Sequence, residues 1–281
     1  NLLPYAAIIN KNESEIDLDN WAVGEEALKF GGQTTNVFYN LNKSLEASAF
    51  LLKTIPTRYR FFDQIKLTVP FSYSPINRCY LYKIVNAIGF RKIKIIDSVT
   101  SIAKSINFKH LPKKDNYSVI FIEMGLSHCA IFITKYVSSG TYYQADVLQY
   151  NLINTVSGSE IDNAIVKGLS NELGIQIDDN LKYNIIKAKN HLGDNNRVKI
   201  EGSNISDFYL YQENVTKFTN NVFSNLSEVL NNYPTDVDAV YLIGGPSNLH
   251  ALHTLILNRF NQTNFYIGDL NQIAESGLSQ N

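Results

Sequence analysis

The chain has 281 residues, of which 44% are hydrophobic and 18% are charged, and its formal net charge is −1. A chain of this length can bury substantial cores, and it favours two domains or lobes over one. The balanced charge gives no reason to expect nucleic acid or an anionic membrane surface as a partner, and no apolar run approaches the length of a membrane span. We therefore expect neither a nucleic-acid partner nor a membrane span.

Strands and helices alternate in the first half of the sequence. The patterns predict an amphipathic helix, an alternating strand, a helix, a short strand and a helix at residues 44–55, 65–69, 75–88, 93–96 and 99–107. Ser74 and Pro75 open the second of these helices as N-cap and first helical residue. Gly89 ends it. This order is typical of an α/β protein.

A predicted hairpin follows, and the rest of the chain is organised around it. Residues 119–122 and 129–133 are continuous apolar runs, as expected for strands buried on both faces. The turn between them, residues 123–128, begins with Glu123 and contains Gly125. Such a turn can bring backbone N–H groups up to a bound anion, as a phosphate-binding hairpin does. A core hairpin with a polar tip fits the same residues.

The second half contains further α/β elements and a second glycine-containing corner. Strands are predicted at residues 145–150, 198–201, 208–211 and 239–243, and helices at 160–173, 180–192, 213–230 and 249–260. Ser159 with Asp162 three residues later is a helix-start signal. Gly244 and Gly245 lie between a buried strand and a helix, where glycines permit close approach of a nucleotide. A plain tight turn explains the two glycines equally well.

Five of these stretches, taken in order, resemble the nucleotide-binding domain of the heat shock protein 70 superfamily. They are IKLTVPFSYSPINRCYLYKIVNAIGF, IKIIDSVTSIAKSI, VIFIEMGLSHC, SGSEIDNAIVKGL and VYLIGGPSNLH. Met124-Gly125 and the approach NFKHLPKKDNYSVIF are closest to the superfamily's large branch, the 110-kDa heat shock proteins and the lumenal 170-kDa glucose-regulated chaperone. The resemblance implies an α/β, actin-like (ribonuclease H-like) two-lobed ATPase-domain fold.

The resemblance also implies a domain division and a ligand. Lobe I is expected at residues 1–112, lobe II at 113–268 with a helical and small-sheet subdomain at about 159–235, and a C-terminal helix at 269–281 returning toward lobe I. The ligand is expected to be ATP or ADP, bound weakly, with Mg²⁺ only if nucleotide binds. The residues expected to contact it are Glu123, Gly125, Ser127, Gly158, Lys187, Lys189, Gly244, Gly245, Ser247 and Asn248.

Several departures from the family's pattern argue against efficient ATP hydrolysis. The first phosphate hairpin is expected before Asn1, and Lys43 is the nearest candidate for the lysine that follows it. Other family positions are changed, at Ser98 with Asp97 beside it, at Leu126, Ser127, His128 and Ala130 in the second hairpin, and at Asn190 and Asn248. Phosphoryl transfer depends on positioning and electrostatics. We therefore expect slow hydrolysis or none, and no catalytic residue is assigned.

The function that the resemblance implies is that of a co-chaperone. Such a protein is expected to act as a nucleotide exchange factor for a heat shock protein 70 partner, with unfolded client protein as a further ligand. The alternative is an ATP-hydrolysing chaperone whose first phosphate hairpin lies outside this chain. Seven Asn-X-Ser/Thr sequons, at Asn12, Asn42, Asn116, Asn204, Asn214, Asn225 and Asn261, favour the endoplasmic reticulum lumen over the cytoplasm.

Other site chemistries fit the residues less well. Gly125-X-Ser127 has the start of a hydrolase nucleophile elbow, but Cys129 occupies the fifth position and a second strand follows. A sugar or carboxylate kinase would need an aspartate in the first lobe and an intact phosphate hairpin. His250 and His253 share a helix face without a partner spaced for a metal site and are expected to face solvent. Cys79 and Cys129 are expected to be reduced core residues.

Overall fold

The computed structural model divides into two compact units, Asn1–Ser101 and Ile102–Gln280. It describes the backbone of three short strands at residues 5–8, 21–23 and 34–36, and then residues 64–87, 89–106, 111–140, 142–193, 195–201, 208–261 and 263–268. The predicted helices at residues 44–55 and 269–281 lie outside the described residues. The predicted boundary after residue 112 and the subdomain at about 159–235 stay predictions.

The first unit contains two small sheets and a packed helix. Strand β1 lies between β2 and β3, and both pairings are antiparallel; β4 and β5 pair in parallel. The element bounds are β1 Tyr5–Ile8, β2 Trp21–Val23, β3 Thr34–Asn36, β4 Gln64–Val69, α1 Pro75–Ala87, β5 Lys92–Asp97 and α2 Ser98–Lys104. Val69, Leu81, Val85 and Phe90 form the core between the β4–β5 pair and α1. The predicted strand–helix–strand–helix order is confirmed.

The second unit is built on a five-stranded mixed sheet in the order β12-β11-β6-β7-β8. These strands are β6 Asn116–Met124, β7 Cys129–Ser138, β8 Tyr143–Ile153, β11 Ala239–Ile243 and β12 Asn264–Gly268. Residues 119–122 of β6 are all buried, because the central strand is covered on both faces. The predicted hairpin is therefore confirmed, and it forms the centre of the sheet.

Helices cover one face of this sheet, and a small sheet lies among them. The bounds are α3 Gly158–Leu173, α4 Asp179–Asn190, β9 Arg197–Lys199, β10 Tyr209–Tyr211, α5 Gln212–Leu230, the 3-10 helix Gly245–Asn248 and α6 His250–Arg259. Alternate residues of β6, including Ile120, Ile122 and Met124, join apolar residues of the helices in one core. None of the helices in the described part of the chain combines the length and apolarity needed to cross a bilayer.

The path of the chain through this sheet creates a switch in strand order beside β6. The chain first adds β7 and β8 on one side of β6 through antiparallel hairpins. After helices α3 to α5 it returns to the other side, where β11 pairs with β6 in parallel and β12 follows. In open α/β sheets, the crevice outside the carboxyl ends of the strands at such a switch is where ligands bind.

The structure corrects four details of the predicted elements and core. Cys79, which was predicted in the core, is exposed on helix α1, whereas Cys129 is buried as predicted. The hairpin turn is shorter than predicted, because β6 extends to Met124 and includes Glu123. Helix α3 is capped by Ser157 rather than Ser159, and the Ser157 side chain accepts a hydrogen bond from the Glu160 N–H. Strand β12, which no apolar pattern indicated, adds a fifth strand to the sheet.

Candidate functional site

The hairpin turn, residues 125–128, lies directly after strand β6. The Gly125 N–H donates to the His128 carbonyl at 2.9 Å and closes the turn. The Leu126 side chain is 39% exposed. The Ser127 Oγ lies 3.1 Å from His128 Nδ1, and burial lowers the pKa of the His128 imidazole. The turn therefore carries an apolar side chain and a hydrogen-bonded Ser–His pair.

The start of helix α3 is bonded to the carbonyl side of this turn. The Gly158 N–H donates to the Gly125 carbonyl and the Ser159 N–H to the Leu126 carbonyl, both at 2.8 Å. A Cβ atom at Gly158 would lie 3.3 Å from the Gly125 oxygen and 3.4 Å from the Leu126 Cα. Glycine at this position is thus explained by close packing, and the N–H of the predicted contact Gly158 already has a protein partner.

The same bonds fix the direction of two other backbone groups of the turn. A trans peptide directs its C=O and its N–H to opposite sides, and the described residues contain no cis peptide. Because the carbonyls of Gly125 and Leu126 point to helix α3, the N–H groups of Leu126 and Ser127 point away from it. Two successive N–H groups on one side of a turn are an anion-binding arrangement.

The Gly244–Gly245 corner lies beside the end of β6. In the parallel register Ile243 is opposite Glu123, and Gly244 follows with φ +112°. A Cβ atom at Gly244 would lie 2.1 Å from the Met124 carbonyl oxygen, so strand packing requires this glycine. A Cβ atom at Gly245 would meet no described atom within 4 Å. Of the two glycines of this corner, Gly245 is therefore the one that borders space free of described atoms, which a ligand could occupy.

The 3-10 helix that begins at Gly245 is held by contacts of Pro246 and Ser247. Pro246 approaches Gly158, since a Cβ there would lie 3.7 Å from the Pro246 Cγ. Ser247 is buried and its carbonyl accepts a hydrogen bond from His253 Nε2, whereas Asn248 is exposed. The His253 ring also packs edge-on against Phe265. His253 is therefore half-buried rather than solvent-facing as predicted, while His250 is exposed.

The two lysines predicted to flank a nucleotide have different surroundings. Lys189 Nζ lies 2.6 Å from Asp162 Oδ1, and only 6% and 10% of the two side chains is exposed. The pair joins helix α4 to the second turn of α3. Lys187 lies at the surface, 2.9 Å from Glu201 Oε2. The sequence alone offered no signal for this difference, because both lysines share one helix and one polar pattern.

Two acidic residues of the predicted pattern, Glu123 and Asp97, lie in different units. Glu123 is half-buried in β6, and burial together with its charge raises the pKa of the Cys129 thiol. In the first unit, Asp97 at the end of β5 forms an ion pair with Arg78, whose Nε donates to the Tyr73 carbonyl at 3.1 Å. Within the described residues, no group of three or more His, Cys, Asp or Glu side chains is placed to hold a metal ion.

Eight of the ten predicted contact residues therefore lie in one region, at the ends of β6 and β11. The structure brings together Glu123, Gly125 and Ser127 of the hairpin, Gly158 of helix α3, and Gly244, Gly245, Ser247 and Asn248 of the following corner. Lys189 supports this region through Asp162, and Lys187 pairs with Glu201. Their roles toward a ligand stay predictions.

Solved structures with a similar fold include two of an actin-like protein. The chain matches MreB 5 of Spiroplasma citri bound to AMPPNP and the same protein bound to ADP, each with a TM-score of 0.73 and 20% sequence identity. Each match covers 99% of this chain and 87% of the other. No protein-family model and no curated protein sequence matches the chain.

At this identity the likeness concerns the fold. The resemblance of the sequence to the large branch of the heat shock protein 70 superfamily stays a prediction. The mixed sheet, its strand order and its helices, together with these matches, show that the chain has the actin-like α/β fold.

Proposed function

We propose that this chain is an adenine-nucleotide-binding module of the actin-like fold, which binds ADP or ATP where β6 and β11 end and hydrolyses ATP slowly or not at all. The observation that carries the proposal is the switch in strand order between β6 and β11, with the hairpin turn and the Gly245 corner both at its carboxyl edge. The two similar structures hold AMPPNP and ADP.

The local chemistry suits a phosphate and a sugar or base. The N–H groups of Leu126 and Ser127 point to the side of the turn away from helix α3 and can donate to phosphate oxygens. Gly245 leaves space at the neighbouring corner, where a nucleoside could approach the backbone. Magnesium would accompany the nucleotide's phosphates.

Slow hydrolysis follows from positions that differ from the family's pattern. Transfer of the terminal phosphoryl group needs a positioned water and several aligned electrostatic contacts. The exposed Leu126 side chain occupies a position where bare backbone would admit the phosphates. Asp97, the carboxylate beside the family's glutamate position, is engaged by Arg78. These substitutions favour binding without turnover.

Calorimetric titration of the protein with Mg-ADP and Mg-ATP tests the proposal. We expect weak binding, with a dissociation constant between about 10 μM and 1 mM, or roughly −7 to −4 kcal/mol, and no phosphate release above the uncatalysed background. Tighter binding would favour the ATP-hydrolysing alternative. Gly245→Val should lower the affinity at least about tenfold without changing the melting temperature, because the branched side chain would fill the open space. Leu126→Gly should raise affinity by uncovering the turn's backbone.

The surface variant Leu257→Val, near the end of helix α6, provides the control and should bind as the unmodified protein does. Absence of binding heat, together with no thermal stabilisation by millimolar ADP, would overturn the proposal. Equal binding by the unmodified protein and Gly245→Val would show that nucleotide binds elsewhere.

The exchange-factor role for a heat shock protein 70 partner rests on the sequence resemblance. It makes a separate prediction, since such a factor accelerates release of labelled ADP from the partner chaperone. If the chain binds ADP but leaves that release rate unchanged, the nucleotide-binding proposal survives and the exchange-factor prediction is wrong.

A further inference from the structure

His128 is the last residue of the proposed anion-binding turn, and one of its ring nitrogens has no partner among the described residues. Its Nδ1 lies 3.1 Å from the Ser127 Oγ. Its ring lies over Gly125, since a Cβ atom there would be 3.8 Å from the His128 Cε1 and 4.0 Å from its Nε2. Nε2 forms no hydrogen bond with any described residue. The turn thus carries, beside Gly125, an imidazole nitrogen that no described residue bonds.

The Ser127 hydroxyl can stabilise both protonation states of this ring. A hydroxyl both donates and accepts. When it donates to Nδ1, the neutral ring carries its proton on Nε2, which can then donate to a ligand. When the ring is an imidazolium, Nδ1–H donates to the Ser127 oxygen. Nε2–H then remains a donor and belongs to a positively charged ring. A charged donor binds a phosphate oxygen more strongly than a neutral one.

We propose that His128 is a phosphate ligand of the nucleotide site, through Nε2, and that nucleotide binding is consequently coupled to uptake of a proton by this imidazole. The inference rests on the proposed nucleotide-binding function. It adds to the ten predicted contact residues a further residue, His128, and a coupling between nucleotide binding and protonation that none of the ten supplies.

The groups around the His128 ring determine whether the free protein holds it neutral or charged. On β6, β7 and α3, the titratable residues within five positions of the strand or helix end that adjoins the turn are Glu123, Cys129, Glu160 and Asp162. Asp162 is neutralised by Lys189, burial and the Glu123 charge raise the pKa of the Cys129 thiol, and the 3-10 helix carries no titratable side chain. Burial lowers the pKa of His128.

The imidazole is therefore mainly neutral in the free protein near pH 7, and a phosphate beside Nε2 favours its charged form. Binding then takes up a proton at pH values between the lowered pKa of the free protein and the higher pKa of the complex. In that window affinity rises as pH falls, by up to about tenfold per pH unit for one linked proton.

Titration with Mg-ADP at pH 6.5, 7.0, 7.5 and 8.0 tests the inference, with the protein and its His128→Gln variant measured side by side. Glutamine keeps an N–H donor but cannot be protonated. Because the terminal phosphate of ADP also titrates, the comparison uses the ratio of the two affinities at each pH. We expect the affinity of the unmodified protein, divided by that of His128→Gln, to increase several-fold from pH 8.0 to pH 6.5.

A second measurement reports the proton uptake directly and is made on the unmodified protein and on His128→Gln. The binding heat of the unmodified protein in two buffers of different ionisation enthalpy reports the protons taken up, and we expect a net uptake near pH 7. An affinity ratio that is constant with pH, or the same net proton exchange in both proteins, would overturn the inference while leaving nucleotide binding intact. Absence of binding at every pH would overturn the proposed function and the inference with it.

Discussion

The buried Asp162–Lys189 pair provides a sharp test of how helix α4 is held against helix α3. Replacing Lys189 with Met removes the cation and leaves the Asp162 carboxylate buried without its partner at 2.6 Å. Breaking one side of a buried ion pair costs about 3–5 kcal/mol. With a urea dependence of about 2 kcal/mol per M, the unfolding midpoint of this protein should fall by roughly 2 M.

Urea unfolding followed by circular dichroism measures this shift, and the chain offers a matched control on the same helix. Lys187 pairs with Glu201 at 2.9 Å, but 46% and 69% of the two side chains is exposed. Such an exposed pair is screened by solvent, so Lys187→Met should leave the midpoint nearly unchanged.

The double variant Asp162→Asn with Lys189→Met completes a double-mutant cycle. It should lose less stability than the sum of the two single variants, because neither charge is then left buried alone. If Lys189→Met lowers the midpoint no more than Lys187→Met does, the pair does not hold the two helices together and the reasoning is refuted.

Three further outcomes can be measured on the same protein. Gly244→Ala should destabilise the fold by more than about 2 kcal/mol in urea unfolding, since the new Cβ meets the end of strand β6 at a positive φ; a change below about 0.5 kcal/mol would contradict this packing. Gly168→Ala should also destabilise, although alanine favours a helix by about 1 kcal/mol, because its Cβ would lie 2.3 Å from the Phe218 ring; a higher melting temperature would refute it. A maleimide should label the exposed Cys79 in the folded protein and label Cys129 only after unfolding, because burial raises the pKa of the Cys129 thiol; mass spectrometry showing equal labelling would contradict the buried position.

Local patterns were sufficient to predict most elements of the second unit. The unbroken apolar run of β6 predicted a strand covered on both faces, and burial of residues 119–122 confirms it. The start of α3 was predicted within two residues, but its cap was not. Ser157 and Ser159 are both good N-caps in sequence, and the choice of Ser157 accompanies hydrogen bonds from Gly158 and Ser159 to the hairpin, which is distant in sequence.

Strand β12 is an element that the local sequence did not predict. Residues 264–268 are short and follow an Asn-rich turn, and their strand conformation depends on parallel pairing with β11. Parallel pairing is made across an intervening helix, so nothing in the local pattern reports it.

The sequence by itself determined the α/β class, the central hairpin and the positions of the glycine-containing corners, because these follow from periodicity, burial and backbone freedom within a few residues. Only the tertiary structure decided what each polar or glycine residue does there. Gly244 is required by contact with Met124, while its neighbour Gly245 borders open space. Lys189 is buried against Asp162, while Lys187 remains at the surface. Neighbouring residues of one type differ in this way because their partners come from strands and helices far along the chain, and those partners meet only when the sheet is assembled.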